Sequence, residues 1–254
     1  MRSSPSQRLL ATEQSLDDIA DEIASLHYRA PCDEVMLQRY KQAAEAMLLT
    51  CPAKARAVLA MIATLRRQES VMRDHFRAAR LLAPLDAVIR VNHVAALQEF
   101  ACLSEAADVA QCNYQDLPHH GAVGQQALEA AIFAGRLQAA AQRLRADSSG
   151  YLRRVIKGSQ QVMHCAGFLA SHGVTDQDTE QLQQQAMLPL REVQMAVPEV
   201  AIMLAESGPM QQVQIHFLLP GSAEDVMTLN QKLSVGLPWV TVEYRLLEGF
   251  PCPL

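Results

Sequence analysis

The spacing of apolar residues along most of the chain is typical of amphipathic helices. Near the N-terminus, apolar side chains recur at intervals of three and four residues, at Leu16, Ile19, Ile23 and Leu26. Because residues at this spacing share one helical face, the pattern predicts a first helix over residues 15–28. We expect Ser15 to cap this helix and Pro31 to end it.

Further helical patterns run from about residue 33 to 147, with breaks at Pro52, Pro84 and 117–121 and no strand alternation between them. Pro84 and Pro118 stand 34 residues apart, whereas Pro52 and Pro84 stand 32 apart. The same 34-residue step carries Ala101, Leu103, Ala106 and Ala110 onto Gly135, Leu137, Ala140 and Leu144. Two helices and a terminal proline in a period of 34 residues are typical of a helical repeat.

These residues resemble the tetratricopeptide repeat over roughly residues 35–150, most strongly over 53–150. The resemblance places Ala101 and Gly135 at the turn between two helices, and Ala106 and Ala140 where the helices approach closely. Phe76, Ala79 and Pro84 look like the end of an earlier repeat, and Ala44, Met47 and Pro52 like one before that. The Leu-Gly pair and the tyrosine of the family's first helix are missing, and Leu152 replaces the last proline.

The C-terminal part has a different pattern. Residues 151–173 predict one long helix, and Thr175 caps another that Pro189 and Pro198 break. Apolar residues then alternate over 213–219 and again over 240–246, which predicts two strands. Between them Ser222 and Asp225 predict a capping box, giving a β-α-β unit. Because two strands alone are marginal, we expect a third at 200–205, the helical part or a second subunit to complete the sheet.

The predicted fold class is therefore mainly α. Residues 1–197 form antiparallel helical hairpins of an α-solenoid resembling tetratricopeptide repeats. Residues 198–254 form a small α+β unit, which is also a candidate surface for a homodimer.

Composition limits the function classes. The chain has 254 residues, half of them apolar, and a net charge of −5, so it is globular and nothing global attracts nucleic acid. No uncharged apolar stretch reaches the ~18 residues of a membrane-spanning helix, and no signal-peptide pattern is seen. The six cysteines are not spaced as C-x-x-C and read as small buried residues in a reducing compartment. We therefore expect a cytoplasmic protein that does not enter the membrane.

No catalytic signature is found, so we predict a protein that is not an enzyme and has no cofactor. His119 and His120 near Cys112 are better explained as a polar loop than as a metal site. Four arginines, at spacings that fit one helical stripe, are an alternative surface for an acidic partner: Arg66, Arg73, Arg77 and Arg80.

The resemblance implies a concave groove lined by the first helix of each repeat. The groove-facing candidates it implies are Val91, Asn92, Ala95, Gln98, Glu99, Gln125, Gln126 and Glu129. Of the residues with which family members hold a C-terminal carboxylate, only Asn92 is matched. The groove is neutral to acidic, which favours an apolar or basic protein segment.

Three functions follow from this pattern. The leading hypothesis is a non-catalytic protein-protein interaction module, such as an adaptor, assembly factor or secretion-type chaperone. The alternative is a regulator that senses a small molecule or signal peptide through its helical array. An enzyme built on the C-terminal α+β unit is the third.

Overall fold

The computed structural model describes the backbone of residues 5–26, 33–197, 199–207, 210–233 and 236–247. Its helices are α1 (Pro5–Leu26), α2 (Glu34–Ala46), α3 (Pro52–Leu65), α4 (Glu69–Leu82), α5 (Ala87–Glu99), α6 (Leu103–Asp116), α7 (Gly121–Phe133), α8 (Leu137–Ala146), α9 (Tyr151–Val155), α10 (Ser159–Ser171), α11 (Asp176–Glu192) and α12 (Ala223–Lys232). Its strands are β1 (Glu199–Ser207), β2 (Met210–Leu219), β3 (Gly236–Leu237) and β4 (Val240–Leu246). This order confirms the predicted class, mainly α followed by a small α+β unit.

Three turns between helices share one backbone conformation at intervals of 34 residues. Each contains a residue with positive φ, namely Arg67 at 55°, Ala101 at 53° and Gly135 at 82°. In each turn the following N–H reaches the carbonyl five residues back, from Gln68 to Ala63, Cys102 to Leu97 and Arg136 to Ala131. This pairing closes a helix end in the Schellman manner. The backbone thus recurs with the period seen in the sequence, while membership of the tetratricopeptide family stays a prediction.

The chain divides into two compact units, residues 1–96 and residues 97–252. In the first unit α3 packs against α1, α2 and α4. Almost every residue of α3 from Ala55 to Thr64 is buried, and its stretch from Ala57 to Ala63 is accordingly apolar on every face.

The core of the second unit joins helices to the sheet. Its fully buried side chains come from α8, α10 and α11 and from alternate positions of β2, namely Val213, Ile215, Phe217 and Leu219. Arg136 links three helices, because its guanidinium lies 2.7 Å from both Asp108 on α6 and Glu180 on α11. The domain boundary at residue 197 stays a prediction, since here the sheet and α8–α11 share one core.

The sheet has the strand order β1-β2-β4-β3. β1 and β2 form an antiparallel hairpin, in which Glu199 stands opposite Leu218. β2 and β4 are parallel and are connected through α12, so the predicted β-α-β unit is confirmed. The residues 200–205 expected as a third strand lie within β1.

Both C-terminal capping predictions are confirmed. Thr175 with Asp178 and Ser222 with Asp225 form complete capping boxes at the starts of α11 and α12.

Other predicted helix boundaries were wrong. α1 begins at Pro5, so Ser15 lies inside a helix and caps nothing, while Pro31 falls outside the described residues. The predicted break at Pro52 is present as the turn over residues 47–51, and Pro52 itself begins α3, where proline lacks only an N–H that is unpaired anyway.

The single long helix expected over residues 151–173 is divided in two. α9 ends at Val155, and Gly158 adopts a φ of 72°, which glycine tolerates, as the residue from which α10 restarts. Pro189 does not break α11 but lies inside it, three residues before its end, where it removes one backbone hydrogen bond of the helix. Pro198 lies outside the described residues. Cys112 is exposed rather than buried, whereas Cys51, Cys102 and Cys165 are buried as expected.

Candidate binding groove

A pocket of about 320 Å³ lies in the first unit between α1, α3 and α5. Its floor is apolar and is formed by Leu16, Ala57, Val58, Met61 and Ile89, which are all buried. Val88, 63% exposed, lies at the mouth. A concave apolar surface of this kind is where a partner's side chain can be desolvated.

The polar residues that line this pocket are mostly acidic. Asp17 and Asp21 come from α1, Asp86 precedes α5, and Lys54 on α3 is the single cation among the described lining residues. The Lys54 Nζ lies 2.8 Å from the Asp17 carboxylate, so that positive charge is already paired. Asp86 accepts a hydrogen bond from the Ile89 N–H at 3.0 Å and thereby caps α5. Three carboxylates against one amine leave the pocket negative.

Three of the predicted groove residues lie in the first unit. Asn92 lines the pocket and donates from Nδ2 to the Met61 Sδ at 3.5 Å, a weak acceptor. Val91 and Ala95 are half-buried on the same helix but do not line the pocket. The structure therefore brings Asn92 together with α1 and α3 residues that the sequence reasoning did not select.

The other predicted groove residues lie in the second unit. Glu99 is only 4% exposed and is not available on the surface as a contact residue. Gln98, Gln125 and Gln126 are half-buried. Gln125 donates to the Glu129 carboxylate at 2.9 Å, and burial raises the pKa of Glu129 despite that bond.

The arginine stripe is largely occupied by intramolecular contacts. Arg66 ends α3 rather than lying on α4, and it pairs with Glu34. On α4, Arg73 lies 2.8 Å from Glu69 and Arg77 lies 3.1 Å from Asp74. Arg80 contacts the His93 Nδ1 at 3.1 Å.

His119 and His120 are both exposed in the turn before α7. Across the described part of the chain, no three or more histidine, cysteine, aspartate or glutamate side chains cluster closely enough to hold a metal ion. None of the described helices is both long and apolar enough to cross a membrane.

The pocket residues Asp17, Asp21 and Lys54 were missed by sequence reasoning. Asp17 and Asp21 are four residues apart on a predicted helix, so one acidic face was detectable. Nothing in the neighbouring sequence indicated that this face would meet α3 and α5.

Comparisons of the chain with protein-family models, curated proteins and solved structures found no match.

Proposed function

We propose that this chain is a non-catalytic interaction protein whose first unit binds a protein segment carrying apolar and basic residues. The observation that supports this proposal is the pocket between α1, α3 and α5, with its buried apolar floor and acidic rim. An adaptor, assembly factor or secretion-type chaperone is the class of protein that uses such a groove.

The charges decide the sign of the partner. Asp21 and Asp86 are not matched by a pocket cation, since Lys54 pairs with Asp17. An arginine or lysine of the partner would find carboxylates at the rim and aliphatic surface below it. Exposed ion pairs contribute only ~0–1 kcal/mol each, so the apolar floor must supply most of the affinity. The charges then set orientation and association rate.

The proposal is tested by crosslinking in the native cell. A photo-crosslinking amino acid replaces Val88 at the pocket mouth, and the control carries it at Leu49, which is 97% exposed and does not line the pocket. We expect position 88 to crosslink to an apolar partner segment that mass spectrometry shows to contain lysine or arginine. Position 49 should not reach that segment. An acidic segment, or equal crosslinking from both positions, contradicts the proposal.

A charge reversal separates the pocket from the arginine stripe. Asp21→Lys should reduce crosslinking from position 88, whereas Glu224→Lys, a matched reversal at an exposed residue of α12, should not. Arg73→Glu combined with Arg77→Glu should also leave it unchanged. If the arginine variant alone abolishes crosslinking, the stripe is the binding surface and the groove proposal fails.

A further inference from the structure

The two edges of the C-terminal sheet differ in how their backbone N–H and carbonyl groups are paired. At the β4 edge, β3 pairs with the start of the strand. Further along, the Asn230 side chain donates to the Tyr244 carbonyl at 2.8 Å and accepts from the Tyr244 N–H at 2.9 Å. Asn230 thus takes the place of a neighbouring strand, and this edge is closed to an added one.

At the other edge α10 packs against β1, but no hydrogen bond closes this edge among the described residues. The Val213 N–H donates to Trp239, and the Leu219 carbonyl accepts from Leu247, both at 2.9 Å. The odd-numbered residues of β2 therefore bond to β4, and the even-numbered ones face β1. In the antiparallel register, His216 stands opposite Ala201 and Gln214 opposite Met203.

It follows that alternate β1 residues direct their N–H and carbonyl groups away from the sheet. These outward-facing residues are Val200, Ile202 and Leu204. No hydrogen bond joins their backbone to another described element. Within the described part of the chain, β1 therefore presents a row of backbone donors and acceptors that no other element pairs.

A cavity of about 650 Å³ adjoins this open edge. Val200 and Ile202 form one side of it, so its wall includes the free edge itself. The remaining apolar wall comes from α7, the turn before α10, α10 and β2, through Ile132, Phe133, Ile156, Val162 and Leu218. Backbone groups and an apolar recess are thus adjacent.

Among the described residues that line the cavity, carboxylates outnumber amines by two to one. Glu129 lies in the wall, half-buried, and its pKa is raised by burial. At the rim, Lys157 and Glu199 form an ion pair of 2.8 Å. The Lys157 charge is therefore already matched, and Glu129 is the carboxylate with no cationic partner in the cavity lining.

We propose that β1 and this cavity bind an extended peptide segment of a partner protein as a fifth strand of the sheet. Alternate side chains of the segment enter the cavity, and one of them is a lysine or arginine that meets Glu129. This mode is strand addition, in which the backbone provides affinity and the pocket selects side chains. It uses residues separate from the groove of the first unit and does not depend on it.

A second copy of β1 is a poorer occupant on grounds of charge. Its sequence from Glu199 to Ser207 contains two glutamates and no basic residue. Pairing two such strands would add negative charge beside Glu129 and Glu199. A basic segment of another protein would instead neutralise part of this negative charge.

The first test uses synthetic heptapeptides of the form Thr-X-Thr-Z-Thr-X-Thr, with X as valine, leucine or phenylalanine. Z is lysine, arginine, norleucine or glutamate, and fluorescence anisotropy measures binding to the full chain. We expect lysine and arginine peptides to bind about tenfold more tightly than norleucine ones, because a hydrogen-bonded charge is worth that much. Glutamate peptides should bind least. If no peptide binds, or the order is reversed, the proposal is wrong.

Backbone methylation distinguishes strand addition from simple pocket filling. Two versions of the best peptide carry N-methyl groups on alternate residues, one set facing β1 and the other facing solvent. Methylation should abolish binding only in the set whose N–H groups face β1. Equal effects from both sets would show that no strand is added.

Protein variants complete the test. Glu129→Gln should weaken the lysine peptide about tenfold and leave the norleucine peptide unchanged. Glu243→Gln, the same change on the opposite face of the sheet, should alter neither. Ile202→Pro removes an outward N–H and should weaken every peptide, with far-UV circular dichroism confirming that the variant is folded. If ultracentrifugation shows a dimer that Ile202→Pro dissociates, a second copy occupies the edge and the partner-peptide proposal is overturned.

Discussion

At the scale of single residues, Gly135 is the glycine, among those that the structure describes, whose replacement should cost most. Its φ is 82°, and an added Cβ would lie 2.9 Å from the Thr179 carbonyl oxygen. The Thr179 hydroxyl also donates to the Gly135 carbonyl at 2.6 Å, which holds α11 against this turn. We expect Gly135→Ala to lower the free energy of unfolding by roughly 1–3 kcal/mol, measured by urea denaturation.

Gly167 is the matched control. It lies in α10 with nothing within 4 Å of an added Cβ and without a positive φ. Gly167→Ala should stabilise the protein by about 0.5–1 kcal/mol, because alanine has less backbone freedom to lose in a helix. Equal effects of the two substitutions would show that the turn geometry at Gly135 is unimportant.

His216 should make stability depend on pH. It is 1% exposed, and its Nε2 has no hydrogen-bond partner among the described residues, lying 3.8 Å from the Glu243 carboxylate. Burial, together with the Arg245 charge, lowers the pKa of His216, and Glu243 only partly opposes this. The unfolded chain, with a histidine pKa of ~6.5, therefore binds the proton first as pH falls.

Stability should accordingly decrease as pH falls through about 6.5, because protonation favours the unfolded state. His216→Leu should reduce this loss, as seen in urea midpoints at neutral and mildly acidic pH. A pH dependence identical in parent and variant would show that His216 does not cause it.

At the scale of helices, the 34-residue recurrence extends to packing. Three small or apolar residues at equivalent places, Met72, Ala106 and Ala140, are all 0% exposed. This confirms the predicted burial of Ala106 and Ala140. Replacing either with leucine should overpack the contact and cost roughly 1–3 kcal/mol.

A neighbouring position provides the control for this substitution. Ala139 is exposed on α8, directly before Ala140, so Ala139→Leu should change stability by no more than about 0.5 kcal/mol. Thermal unfolding of the purified variants measures the difference. If Ala140→Leu is as stable as Ala139→Leu, helix packing at this site is looser than the structure indicates.

The features that could be predicted from sequence were those that depend on residues close together in the chain, namely the helix caps and the strands. Thr175 and Ser222 cap their helices through side-chain bonds to residues three positions away, and strand alternation depends only on neighbours. The first helix was predicted, but its start at Pro5 was missed, and so was the break before α10, where Gly158 adopts a positive φ. The pocket was missed because Asp17 and Lys54 are 37 residues apart in sequence.

At the scale of the whole molecule, the sheet and its helices should not separate cleanly at residue 197. Four β2 side chains are 0% exposed in the core shared with α8, α10 and α11. Tyr244 on β4 also donates its hydroxyl to the Ala186 carbonyl on α11. Each buried apolar side chain contributes about 1.5–3 kcal/mol, so losing four removes much of a typical stability of 5–15 kcal/mol.

We therefore expect a fragment of residues 1–197 to lose cooperative unfolding of its C-terminal helices, as followed by circular dichroism and hydrogen exchange. Protection in α3 and α4, which belong to the other unit, should persist. A fragment that melts as cooperatively as the full chain, at the same temperature, would instead support an independent domain ending at residue 197.

The recurring turns at Arg67, Ala101 and Gly135 also constrain how this chain can change in length. One residue inserted within α6 or α8 rotates every later position of that helix by about 100°, which carries the buried row toward solvent. Residues inserted in the segment 117–120 leave both helical faces unchanged, because that segment is a turn. Insertions and deletions should therefore accumulate in the turns during evolution. Distant relatives should keep the same spacing of buried positions along each helix even where the residues at those positions differ.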